Sequence, residues 1–351
     1  MLYFGGKIMN KQQPVFLSGI RPTGPLHLGN YFGAIAQFIA LQAEGLCNIF
    51  VADIHALTEG NWTAMELREA TLHVIKMYLA CGFDPSRGHI FVQSQIPETM
   101  ALASILNNSI TLSQILGLPT FKDKIGKKLK NDNSSQKDLQ AALAANMGWV
   151  EYPILMAADI LGVQADFVPV GADQTPHIEM TRNIARVFNN VLPDIFTIPE
   201  ARYSKVPRIP GLDGAGKMGK TAGNTINLID TPDVIAIKIR RAMTDPGRAR
   251  RTDPGTPENC GFVYPLLRAL QAHEEVTGKC QQSFEIGGWG CTHCKKHLTE
   301  RLVELLLPIQ QNYAGISDEQ AIEVAAVGKT TVQPIIRKTL YNTQQALGLL
   351  I

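Results

Sequence analysis

The chain has no run of eighteen apolar residues, so the sequence predicts no membrane span. Its first residues, Met1-Leu2-Tyr3-Phe4-Gly5-Gly6-Lys7, show none of the basic segment, apolar core and cleavage site of a secretory signal. Neither sign of charge dominates. With 33 Lys and Arg against 31 Asp and Glu, the chain cannot coat nucleic acid by net charge, although a focused basic groove stays open to it. Charged residues are few, 18% against 45% apolar, the reverse of a disordered chain. Cysteine is scarce too: six in 351 residues make no disulfide scaffold, and a reducing, cytoplasmic compartment is the expectation. Cys47 and Cys81 sit beside apolar sequence and read as small buried hydrophobes.

What is present is an alternation of short apolar strands and longer helices. Strands are predicted at 15–20, 49–52, 89–93 and 166–170, with helices opening near Gly29 and covering about 63–80. That order predicts an α/β fold with a mostly parallel, helix-covered sheet. A helical insertion at about 97–162 contains a stretch, 121–130, with five lysines and one aspartate, readable as solvated surface or as a phosphate-facing flap. Beyond about 226 the strand signal fades, and helices are predicted at 232–243, 262–275, 296–312, 318–326 and 330–347. The expectation is therefore a catalytic domain at 1–225 and an all-helical domain at 226–351, the last helix packing back on the first domain. The boundary falls in the Gly- and Pro-rich stretch 207–224.

Two loops carry candidate chemistry. Pro22-Thr23-Gly24-Pro25-Leu26-His27-Leu28-Gly29-Asn30 follows a strand and opens a helix, where free N–H groups and the helix dipole favour anions. It is either an anion-binding turn or an ordinary connection. It has neither the Gly-x-Gly-x-x-Gly dinucleotide fingerprint nor a Gly-x-x-x-x-Gly-Lys-Ser/Thr loop. Gly214-Ala215-Gly216-Lys217-Met218-Gly219-Lys220-Thr221 is pliable, and its two lysines can reach one polyphosphate. Its bland alternative is a surface linker.

Taken with their neighbours, these loops resemble the signatures of class I aminoacyl-tRNA synthetases, most closely the bacterial-type tryptophanyl-tRNA synthetases. Ser18 to Asn30 is similar to that family's opening element, in a His-Leu-Gly-Asn form. Lys217-Met218-Gly219-Lys220-Thr221 resembles its Lys-Met-Ser-Lys-Ser loop, with Gly219 and Thr221 in place of the serines. Tyr152 to Leu161 and Val168 to Gln174 resemble two internal signatures, and the likeness runs from about 14 to 347. It implies a Rossmann-like domain that joins L-tryptophan to ATP as tryptophanyl-adenylate, then transfers it to the 3′ end of tRNA(Trp). It also implies Mg²⁺ on the polyphosphate and a homodimer.

Site roles carry over residue by residue. The resemblance gives His27, Asn30, Lys217 and Lys220 to catalysis, the lysines clamping the β- and γ-phosphates. Arg21, Thr23, Gly29, Gly171, Asp173, Gln174 and Met218 would bind ATP or the adenylate. Tyr152, Met156, Asp159, Val168, Val170, Gln174 and His55 would form the tryptophan pocket, with Asp159 accepting the indole N–H. Tyr152 and Asp159 are seven positions apart, roughly two turns, with Met156 between them, so the three can share one helical face. Asp159 stands inside the apolar run 154–161, where a buried carboxylate needs a partner. His177 has a structural or tRNA-end role as readily as a catalytic one. Leu17 and Arg21 depart from the family, which often carries an aromatic and a glutamine there.

Cys260, Cys280, Cys291 and Cys294 give the spacing C-x19-C-x10-C-x2-C. Spacing alone admits Zn²⁺, an Fe–S centre or unligated thiols. A subset of tryptophanyl-tRNA synthetases carries four cysteines in this region around a [4Fe–4S] cluster, and that resemblance makes the cluster the expectation, with Zn²⁺ the alternative. Two other readings stay open. One is a tyrosine-specific relative of the same fold; the other is a non-enzymatic, metal-stabilised tRNA-binding module.

Overall fold

The computed structural model describes residues 13–122, 146–192, 194–204, 209–219, 222–250, 253–282 and 289–350. The lysine-rich segment beyond Lys122, together with Lys220 and Thr221, lies outside the described residues.

Strand β1 (Val15–Ile20) leads through a turn into helix α1, which opens at Leu28–Asn30, passes through a π turn at Tyr31–Ile35 and ends with Ala36–Leu41. Strand β2 (Leu46–Val51) is followed by the short α2 (Asp53–Ala56) and by α3 (Ala64–Ala80). Thr63 caps α3 by accepting from Glu66 N–H, and Glu66 answers by accepting from Thr63 N–H, which fixes where the helix begins. Strand β3 (Gly88–Val92) precedes α4 (Pro97–Leu106), α5 (Leu112–Leu116) and α6 (Met147–Gly162). Then come β4 (Phe167–Val170), α7 (Thr175–Val191) and β5 (Glu200–Tyr203).

All strand pairs are parallel, in the order β3-β2-β1-β4-β5. Helices cover both faces, which is why β2 is buried at five consecutive positions and reads as an unbroken apolar run. The order reverses between β1 and β4. In such sheets ligands bind at the strands' carboxyl ends beside that reversal. β5 escapes prediction because Glu200-Ala201-Arg202-Tyr203 is a polar edge strand. Arg202 lies over the Phe167 ring and bonds Glu44 at 2.6 Å, so the strand is held by pairing and charge instead of an apolar face.

After residue 226 the described structure is helical: α8 (Pro232–Arg241), α9 (Val263–Ala269), α10 (Glu274–Gln281), α11 (Cys291–Gly315) and α12 (Asp318–Ala346). The helix expected at 262–275 divides because Gln271 takes φ +56°. The two helices expected at 318–326 and 330–347 are one. Gly328 does not break α12; it brings the helix axis against the Ile90 carbonyl of β3, where a β-carbon would sit 1.9 Å from the oxygen.

The apolar core follows this arrangement. One cluster runs from Ile49, Val74 and Tyr78 into Leu266, Leu298 and Leu302 of the helical half. Another packs Leu17, Phe50 and Phe91 on the opposite sheet face under Val332 and Ile336 of α12. A third joins α4, α6 and α7 through Leu102, Ile154 and Phe188. Among the described residues no helix is long and apolar enough to cross a membrane.

Candidate active site

The first loop closes β1 onto α1. His27 takes an extended conformation at the helix start and its N–H donates to Asn30 Oδ1 at 3.0 Å, so these two candidates hold each other. Gly29 is needed because a β-carbon there would stand 2.9 Å from the His27 ring and 3.5 Å from Met218 Cβ. The second loop therefore lies against the first. Behind it the chain returns alongside: Leu28 N–H donates to Ile226 O and Leu228 N–H to Leu26 O, both at 2.9 Å, and His27 bridges Asn227.

Asn224 shapes the second loop. Its Oδ1 accepts from Gly219 N–H at 2.9 Å, and its amide donates to Asp213 Oδ1 at 3.0 Å. Gly214, Gly216 and Gly223 take positive φ, the turns that a side chain would strain. Met218 is buried and Lys217 exposed, which anchors the loop and leaves its charge toward solvent.

Asp159 of α6 is buried beneath the strand ends. His55 Nε2 lies 3.1 Å from its Oδ2, and the Gln93 amide donates to both oxygens at 2.9 Å. His55 rides on α2 just past β2; Gln93 stands just past β3. Burial pushes the Asp159 carboxyl above the ordinary range, and the hydrogen bonds from His55 and Gln93 oppose that rise. The group is an oriented, desolvated acceptor. Gln93 is a functional candidate that the sequence reading missed. Its signal was slight, a lone polar side chain closing a buried strand.

Tyr152, seven residues earlier on α6, turns to different partners. Its hydroxyl lies 2.8 Å from Thr120 Oγ1 and 3.1 Å from His177 Nε2, and Thr120 Oγ1 lies 3.0 Å from the same nitrogen. Burial raises the Tyr152 pKa, so it stays a neutral hydroxyl. Met156 is half-buried with Val170, and Val168 is fully buried. Gly171 is extended and crowded by Asp173 Oδ1, while Thr175 Oγ1 closes the turn by donating to Ala172 O at 2.8 Å. Asp173 is exposed and Gln174 half-exposed. Arg21 forms an ion pair with Glu59, and Thr23 N–H donates to Arg21 O.

The cysteine expectation is corrected. Cys260, Cys280, Cys291 and Cys294 do line one cavity, but its volume is about 20 Å³, room for roughly one water. Among the described residues no group of three or more His, Cys, Asp or Glu is placed to hold a metal ion. All four are free thiols with protein partners. Trp289 Nε1 donates to Cys294 Sγ at 3.2 Å, Tyr264 N–H to Cys260 Sγ at 3.4 Å, and Cys280 and Cys294 share a hydrogen bond. Neither the [4Fe–4S] cluster nor its Zn²⁺ alternative fits this arrangement, and membership of the iron–sulfur subset goes with it.

A Rossmann-like parallel sheet, with an anion-ready helix start and a buried acceptor at its carboxyl ends, defines a nucleotide-binding α/β protein. The chain belongs to the family described as tRNA synthetases class I (W and Y), whose model matches residues 9–307. It is 40% identical over 337 residues to the tryptophan–tRNA ligase of Thermotoga maritima, covering 95% of this chain and 99% of that one. It is 38% identical over 341 residues to that of Deinococcus radiodurans, covering 95% and 98%. Among solved structures, the tryptophanyl-tRNA synthetase of Campylobacter jejuni complexed with ADP and tryptophan superposes with a TM-score of 0.79 at 29% identity, covering 95% and 99%.

Proposed function

We propose that the chain is a tryptophan–tRNA ligase, the activity named for its relatives of near-equal length. The observation that carries the tryptophan reading is Asp159, a buried acceptor held by His55 and Gln93 at the strand ends. An indole N–H supplies the donor it requires; a phenylalanine ring supplies none, and a tyrosine hydroxyl presents its donor elsewhere on the ring. Tyr152, Met156, Val168, Val170 and Gln174 form the surrounding walls in this reading. Sites built around a required hydrogen bond reject the ligand that lacks it strongly, because their own polar group is left unpaired.

In the first half-reaction a tryptophan carboxylate oxygen attacks the ATP α-phosphorus. The bond to the β-phosphate oxygen breaks, and pyrophosphate leaves with the electron pair. In the second, the 3′-terminal ribose of tRNA(Trp) attacks the adenylate carbonyl, an ester forms and AMP departs. The difficulty lies in charge on the phosphates, which oriented N–H groups and lysines stabilise without moving. His27, Gly29 and Asn30 receive the phosphates at the start of α1, with Thr23 and Arg21 beside them. Lys217 and Lys220 act on the leaving polyphosphate, with Met218 anchoring their loop. Gly171, Asp173 and Gln174 bind the adenylate. Mg²⁺ carried with ATP supplies charge neutralisation, using waters and substrate oxygens.

The catalytic domain of this reading spans 1–225, and the helical half, 226–351, meets the tRNA. The enzyme works in the cytoplasm as a homodimer. Exposed Leu57, Leu112 and Met147, beside the inserted helices, support an apolar contact between copies. Pyrophosphate exchange with each amino acid, followed by tRNA charging, is the test. Tryptophan-dependent exchange and charging are expected. Exchange with tyrosine alone would transfer the site to that substrate, and tRNA binding without exchange would reduce the chain to a binding module.

A further inference from the structure

The two loops that handle ATP in this reading are joined, and one helix of the helical half holds the joint. Leu26 and Leu228 are hydrogen-bonded neighbours, one at the mouth of the His27–Gly29 turn and the other ten residues beyond Met218 of the lysine loop. On α11, Gln310 Nε2 donates to Leu228 O and to Asp230 O, both at 2.9 Å. One turn further along the same helix, Tyr313 reaches the other strand through an intermediary. Its hydroxyl lies 2.8 Å from His73 Nδ1, and His73 Nε2 accepts from Leu26 N–H at 3.4 Å.

The backbone donor fixes the histidine. Because Nε2 accepts, the proton of a neutral ring sits on Nδ1 and is donated to the Tyr313 oxygen. The contact is not a passing one, since the His73 and Tyr313 rings pack edge to face with centroids 5.4 Å apart. Lys76 sits over the same tyrosine at 5.2 Å and pairs with Asp318 at the start of α12. On the loop side, Asp230 accepts from Asn227 N–H at 2.8 Å, so the gripped segment is itself braced.

We infer that Tyr313 and Gln310 are positioning residues for adenylate formation: from one helix, Tyr313 reaches across the domain seam through His73 to the His27 turn while Gln310 holds the segment behind the lysine loop, so that the two keep one register. Neither touches substrate. A slide of α11 by one residue rise, about 1.5 Å, would break both anchors, and charge-stabilising donors tolerate little displacement. Because α11 is a helix of the half assigned to tRNA, it is also a mechanical route from that half to the ATP loops. This inference rests on the reading of those loops as the ATP site.

The test uses the full chain and three sites. Tyr313→Phe removes one hydroxyl, Gln310→Leu one donor at similar volume, and His73→Gln keeps an acceptor and donor that His73→Leu lacks. Pyrophosphate exchange of the parent comes first; a parent inactive with tryptophan overturns the functional reading and this inference together. With an active parent, Tyr313→Phe and Gln310→Leu should each lower kcat about 10-fold while the tryptophan KM stays within about twofold. The double variant should be no worse than the poorer single one, because losing either anchor displaces the joint. His73→Gln should retain more activity than His73→Leu. Parent-like kcat in folded Tyr313→Phe and Gln310→Leu would overturn the inference alone. So would tryptophan and ATP KM rising together in step with lost thermal stability, which marks general loosening.

Discussion

The side-chain amide of Gln93 donates to both carboxylate oxygens of Asp159 at 2.9 Å, and its own carbonyl end faces the His55 backbone N–H at 3.4 Å. The amide cannot flip without setting oxygen against oxygen, so Asp159 is held as an acceptor from two sides. Its remaining lone pairs define where a ligand donor must come.

Asp159→Ala is therefore expected to damage amino-acid choice and to spare ATP. Loss of a buried acceptor for a required donor should reduce kcat/KM for tryptophan by about 100-fold or more, with a far smaller change for phenylalanine. Comparing the two substrates decides the matter: an unchanged ratio would show that Asp159 does not read the indole N–H.

The pH dependence of tryptophan use should show the same group. Burial raises the Asp159 carboxyl above its ordinary value of 3.8. Recognition needs the ionised form, so kcat/KM for tryptophan should climb as pH rises through this elevated value. Folding stability moves the other way. Below the ordinary carboxylate value both states are protonated and the shift costs nothing; the cost appears as pH rises through the folded-state value, because ionisation then favours the unfolded chain. Asp159→Asn should flatten the acid limb of the kinetic profile and remove this stability loss. A limb that persists in Asp159→Asn belongs to another group.

Parts of this architecture were legible because local pattern and tertiary outcome agree. β1 is apolar and bounded by a Pro-rich turn, and α3 announces its start through Thr63 and Glu66. The buried carboxylate was legible as a lone Asp within an apolar run. Gln93 was not, since its partners come from α2 and α6, 38 and 66 residues away in sequence. The single helix α12 stands where two helices, 318–326 and 330–347, are expected, because glycine's helix cost is local, whereas the reason for Gly328 is the Ile90 carbonyl of another element. The cysteines show the converse: their spacing suits a chelate, but the space they enclose and the hydrogen bonds they make do not.

Lys220→Ala should lower adenylate formation much more than it lowers tryptophan affinity. The role assigned to this lysine is to meet charge that develops on the leaving polyphosphate, and one such contact supplies about 3 kcal/mol, or over 100-fold in rate. Pre-steady-state adenylate formation reads this step directly. Equal rates in parent and variant would remove Lys220 from the mechanism and leave Lys217 as the loop's working charge.

Gly328→Ala tests the seam between α12 and the sheet. On helix propensity alone the substitution should stabilise by about 1 kcal/mol, since alanine is the better helix former. Packing argues the opposite. The new β-carbon would lie 1.9 Å from Ile90 O and 2.7 Å from its carbonyl carbon, and both belong to a backbone locked in the parallel ladder with β2. Relief requires α12 to lift from β3, loosening Val332 and Ile336 over Phe50 and Phe91. Overpacking of this kind costs about 1–3 kcal/mol and exceeds the propensity gain when the obstacle is backbone. Urea unfolding should therefore show a lower midpoint for Gly328→Ala than for the parent, with Gly328→Val lower still. A midpoint at or above the parent's would mean that α12 yields at this point without loss, and that propensity, not contact with Ile90, governs position 328.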